Sequence, residues 1–130
     1  RMRHITPVAL ALAAASLSSL AWSQAAISDA QIQEAVAGGK SAVTHNLKDP
    51  ASAQFRGLKI ARVSKESSDL VLCGEINARN SVGGYVGFRS FFATPGRPDL
   101  SDIEPTREMD KNMFATMYKM SCALEVKSVE

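Results

Sequence analysis

Leu70-Val71-Leu72-Cys73-Gly74-Glu75-Ile76-Asn77 is the stretch on which the fold turns. Its apolar residues fall at both odd and even positions. A strand buried on both faces reads as such a near-continuous hydrophobic run, so this one is predicted to be central in a sheet. Downstream, Asn80-Ser81-Val82-Gly83-Gly84 is a turn, because Asn and Gly tolerate positive φ. Tyr85 to Ala93 then returns as a further strand carrying Val86, Phe88, Phe91 and Phe92. Upstream, Leu58 to Val63 is predicted as the first strand, with an imperfect alternation that leaves its register open.

Helical patterns flank these strands. In Ile27-Ser28-Asp29-Ala30-Gln31-Ile32, Ser28 can cap, Gln31 sits three residues on as in a capping box, and Ile27 can staple against Ile32. Ile32, Val36, Gly39, Val43 and Leu47 recur at helical spacing as one apolar stripe. Gly38-Gly39 weakens the centre of this helix by roughly 1 kcal/mol per glycine relative to alanine, which points to close packing against the sheet at Gly39. The helix is predicted to stop at Leu47-Lys48-Asp49-Pro50, since the residue before proline favours extended geometry. Thr94 to Pro105 holds Pro95, Pro98 and Pro105 and reads as loop, with a short edge strand at Ser101 to Glu104. A last helix is expected over Arg107 to Leu124. The fold class is α+β: an N-terminal and a C-terminal helix packed on a three- or four-stranded antiparallel β-meander.

The first 23 residues read as a sorting signal. Arg1, Arg3 and His4 precede an uncharged run from Ile5 to Leu20, the right length for a signal-peptide core and short for a membrane span of about 20 apolar residues. Ala21 and Ser23 occupy the small-residue positions of a peptidase site, so cleavage is expected between Ser23 and Gln24, with Ala25 to Ala26 as the second position. An uncleaved anchor is the competing reading. Residues 24–130 would then form a single exported α+β domain, periplasmic or secreted, with no membrane anchor after processing. The formal charge of +2 belongs to the leader: beyond Ser23 the basic and acidic residues balance at 13 each. That balance, with aromatics at only 6%, leaves no electrostatic or stacking footprint for nucleic acid.

Both cysteines, Cys73 and Cys122, lie in the exported part. An even count in an oxidising compartment leaves one intramolecular pairing, which would pin the closing helix onto the sheet. A reactive or intermolecular thiol is the competing reading, and no CxxC supports it. Beyond Ser23 there is one histidine, His45, which with two distant cysteines falls short of a zinc set, and GxSxG, HExxH and Walker sequences are absent. No cofactor and no metal are expected, and His45 reads as a helix-surface residue. Met109, Met113, Met117 and Met120 recur at steps of four, four and three. The row is expected to be core packing; a soft-sulfur Cu(I) site and a docking surface compete with that reading.

Two segments carry a family resemblance. Asp49-Pro50-Ala51-Ser52-Ala53-Gln54-Phe55 resembles a DPxSAxF motif, and the segment from Cys73 to Phe88 resembles CGxxNxxNxxGGYxGF. Together they are similar to an uncharacterised family of small exported Gram-negative bacterial proteins, over most of residues 30–122. Relatives of this kind carry a tryptophan shortly before the second cysteine, near the place of Tyr118 here. The resemblance implies compartment, disulfide and fold, and supplies no activity.

The leading functional expectation is a non-enzymatic binding module for an envelope or extracellular protein or peptide, one form being inhibition of an envelope-directed hydrolase. It would use an exposed sheet edge or the hairpin, whose Arg79, Asn80, Tyr85 and Arg89 could form a recognition surface. The alternatives are a small enzyme with a polar site around His45 and a carboxylate, or a purely structural envelope protein.

Overall fold

The computed structural model describes residues 26–129. The expected sorting signal, with its expected cleavage between Ser23 and Gln24, lies outside the described residues. Helix α1 (Asp29–Thr44) begins with the expected capping box: the Gln31 N–H donates to Ser28 Oγ at 3.2 Å and the Ser28 N–H donates to Gln31 Oε1 at 2.9 Å. A short 3-10 turn, Pro50–Ser52, leads into strand β1 (Gln54–Arg62). Then come β2 (Leu70–Asn77), β3 (Arg89–Thr94), β4 (Arg97–Ile103), α2 (Glu108–Cys122) and β5 (Leu124–Val129). All pairings are antiparallel, and the sheet order is β4-β3-β2-β1-β5. Among the described residues no helix is long and apolar enough to cross a membrane.

The predicted central strand is central, and it is buried on both faces. Leu72 and Ile76 join Ile32, Ala35, Val43, Ile60 and Phe91 in a core under α1. Val71 and Cys73 join Ala61, Phe92, Phe114 and Cys122 in a smaller core under α2. One helix therefore covers each face. Gly39 is where α1 meets the sheet: a Cβ there would lie 2.6 Å from Leu72 Cβ, so the glycine sets how closely the helix approaches. The imperfect alternation of the first strand has a local cause. Pairing slips by one residue between Arg56 and Lys59, where Gly57 takes φ +59°, the left-handed conformation of a β-bulge.

Besides the third predicted strand, which begins at Arg89 rather than at Tyr85 because Tyr85 to Phe88 belong to the preceding loop, three expectations need correction. The sheet has five strands, because the chain after α2 continues as β5 along β1; Leu124 to Lys127 alternates apolar and polar as an edge strand does. The segment from Thr94 to Pro105 is mostly hairpin rather than loop. Thr94 pairs with Arg97 across Pro95-Gly96, and Gly96 has φ +72°, the proline-then-glycine order of a type II turn. Pro98 is tolerated because β4 is an edge strand, where a missing N–H can face outward.

The third correction is larger. The methionine row does not pack on the core: Met109, Met113, Met117 and Met120 are 83%, 72%, 45% and 71% exposed. α2 instead buries Phe114 and Cys122, with Tyr118 half-buried between them. Phe114 stacks on Phe92 at 5.5 Å and leans on Tyr118 at 6.0 Å. Burial, and secondarily the Glu75 carboxylate, raises the Tyr118 phenol above its ordinary pKa.

Cys73 and Cys122 are bonded to each other, 49 positions apart, and tie α2 to the middle of the sheet. Replacing both with alanine should lower stability by about 2–4 kcal/mol, since the bridge closes a long loop in the unfolded chain. Amide exchange should rise first in α2 and leave α1 protected. A double variant whose urea midpoint matches the parent protein would contradict this role.

Candidate recognition hairpin

The connection between β2 and β3 is built on one buried serine. Ser52 is the only buried polar residue among those described, and three groups converge on it. Its hydroxyl donates to the Asp49 carbonyl at 2.7 Å and accepts the Arg79 N–H at 2.9 Å. Its carbonyl accepts the Tyr85 hydroxyl at 3.2 Å. Pro50 starts the turn that presents this serine, and its fixed φ suits the first position of a helical turn. The Arg79 Nε also lies 3.3 Å from Asp49 Oδ2, and its guanidinium lies 5.8 Å from the Tyr85 ring centroid. The two sequence motifs, 49–55 and 73–88, are thus two halves of one contact.

Within the loop, asparagine side chains replace strand pairing. Asn80 Oδ1 accepts the N–H groups of Val82 and Gly84, both at 3.1 Å, while the Asn80 N–H donates to the Gly84 carbonyl at 2.8 Å. Asn77 Oδ1 accepts the Gly87 N–H at 3.0 Å. Gly83 and Gly87 adopt φ +84° and +95°, conformations that a side chain would strain. An isolated bridge between Arg79 and Tyr85 closes the loop at its neck. At its base, the Arg56 guanidinium sits 3.9 Å over the Phe88 ring and pairs with Glu75 at 2.9 Å.

The residues singled out in the sequence divide by task. Asn80, Arg79 and Tyr85 brace the loop, with Tyr85 still 47% exposed. Arg89 is half-buried at the start of β3, where its Nη1 donates to the Glu104 carbonyl at 3.2 Å. Tyr85 and Arg89 therefore do not form a single outward pair. The side chains turned outward are ones that sequence reading passed over: Val82 is 89% exposed and Val86 51% exposed. A valine inside a glycine-rich turn, where nothing local can bury it, was the available signal. His45 sits exposed at the C-terminal cap of α1.

At the opposite end of the strands lies a cleft of about 540 Å³, lined by Gln31, Glu34, Asp69, Arg97 and Leu100 among others. Among the described residues, no three His, Cys, Asp or Glu side chains gather as metal ligands would.

Ser52→Ala should cost about 1–3 kcal/mol, because it leaves the Arg79 N–H without its acceptor. Hydrogen exchange should accelerate over residues 79–87 while the core of β2 keeps its protection. Unchanged exchange across the loop would show that Ser52 is not its anchor.

Comparison with protein-family models, with curated proteins and with solved structures found no match, so the functional reading rests on the geometry of this hairpin.

Proposed function

We propose that the chain is a non-enzymatic periplasmic or secreted binding module that holds a protein or peptide partner on the β2–β3 hairpin. One observation carries this reading: residues 79–87 are exposed without interruption, yet nearly every turn of that loop is tied down by a side-chain hydrogen bond. An exposed loop that is flexible must lose conformational entropy on binding, at about 1–2 kcal/mol per ordered backbone residue. A loop held in one shape beforehand avoids most of that cost, and preorganisation of this kind converts directly into affinity.

The chemistry at the tip fits a partner with an apolar, concave site. Val82, Tyr85 and Val86 offer apolar surface, and Tyr85 with Arg79 supplies the residue types that dominate interface hot spots. A braced, protruding loop is also the shape that blocks a cleft. Obstruction of an envelope-directed hydrolase is the form of binding that this shape suits best.

The experiment is quantitative capture of a native envelope partner by the exported form, repeated with Val82→Asp/Val86→Asp. Neither valine is buried, so the double variant should melt as the parent does. Capture should weaken by at least about 2 kcal/mol, the scale of an interface hot spot. Undiminished capture by the folded variant would move the site off the hairpin. Substrate turnover that disappears in His45→Ala would replace the binder with an enzyme.

A further inference from the structure

Four of the chain's five methionines lie on α2, and all four face solvent. At about 100° per residue, Met109, Met113, Met117 and Met120 fall within roughly 80° of arc on the helix surface. Met113 and Met117 are one turn apart, and Met120 lies on the next turn. Side chains three or four positions apart have Cβ atoms about 5–6 Å from one another, close enough for long, flexible thioethers to meet at one ion.

Three observations define what such a face would hold. First, α2 contains no leucine, isoleucine or valine. Its outward apolar side chains are thioethers apart from Ala115, although leucine is common elsewhere in the chain. Second, helical spacing places Lys111 and Lys119 off the methionine arc, and Lys111 is engaged by Glu108 at 2.8 Å. The one charged residue bordering the arc is Asp110, whose carboxylate pairs with Arg107 at 3.1 Å. Third, Cys73 and Cys122 are consumed by their mutual bond, which leaves thioethers as the free sulfur donors among the described residues. Soft thioether donors select Cu(I) over the harder divalent ions.

We propose that Met113, Met117 and Met120 hold one Cu(I) ion on the outer face of α2, with Met109 as an outlying ligand. The site is independent of the hairpin. Because a thioether carries no proton to displace, binding releases none, unlike binding at thiolate or imidazole sites.

The test is titration of the disulfide-intact protein with Cu(I) against bicinchoninate, whose colour reports competition. One ion per chain should be taken up. After correction for the chelator's own titration, affinity should stay constant across about pH 5.5–7.5, the range in which a histidine site would change. Met117→Leu should weaken uptake by at least about tenfold, and Met113→Leu/Met117→Leu should abolish competition. Both substitutions conserve volume at exposed positions, so melting should stay near the parent value. His45→Ala should leave the titration unchanged. Failure of the parent protein to compete, retention of Cu(I) by the double variant, or loss of it on His45→Ala would each overturn the proposal. Self-association that Met113→Glu/Met117→Glu disrupts, without any uptake of Cu(I), would overturn it too and make the row a contact between copies of the chain.

Discussion

Leu72 and Cys73 are adjacent in the chain and point to opposite faces of the sheet, as successive strand residues must. Each is fully buried, and each is the point at which its own helix is held. Leu72 receives α1 through the absence of a side chain at Gly39, so that interface is secured by shape. Cys73 receives α2 through a covalent bond, so that interface is secured by connectivity. The difference follows from size. The core under α1 draws on both helix and sheet along most of α1, whereas α2 contributes only Phe114, Cys122 and the half-buried Tyr118. Fully burying a large apolar side chain is worth about 1.5–3 kcal/mol, so two or three of them scarcely offset the entropy of fixing a 15-residue helix. The disulfide supplies what packing does not.

The same logic of few contacts placed well governs the hairpin. Its loop has no core beneath it, and ladder pairing is reduced to the single bridge at Arg79 and Tyr85. Order comes instead from Ser52, Asn77 and Asn80, short polar side chains that mimic backbone partners. Each such bond contributes only about 1 kcal/mol net. Several of them converging on one loop restrict it where none alone would. Burying Ser52 demands that its hydroxyl be satisfied, and it is satisfied as donor and acceptor at once.

Apart from the Cys73–Cys122 pair, what could be read from the sequence was local. The capping box at Ser28 and Gln31, the doubly buried strand at Leu70–Asn77 and the close approach at Gly39 each depend on residues a few positions apart or on an absent side chain. The convergence on Ser52 was hidden because its partners are 27 and 33 positions away. The bulge at Gly57 was visible only as a broken alternation. The methionine row was misread because α2 carries two stripes at helical spacing, and periodicity does not say which one faces the sheet. The cysteine did say so. At about 100° per residue, Cys122 lies nearly opposite the methionine arc, so a bond from Cys122 to the sheet must turn that arc outward. A buried methionine row and a Cys73–Cys122 bond were incompatible expectations.

The two proposed surfaces are joined by a short line of contacts, and its strength can be bounded. Tyr118 of α2 lies near enough to Glu75 for the carboxylate to raise its pKa, Glu75 pairs with Arg56, and Arg56 covers Phe88 at the base of the hairpin. The weakest link is the Arg56–Glu75 pair, whose side chains are 57% and 41% exposed. Exposed pairs of this kind contribute about 0–1 kcal/mol. Coupling cannot exceed the free energy that the connecting contacts can exchange, which limits this route to less than a tenfold change in affinity. The rest of the sheet between the two surfaces is a packed core, and coupling through it would need an element with two arrangements. Binding at α2 and binding at the hairpin, as proposed, would therefore be nearly independent events on one scaffold.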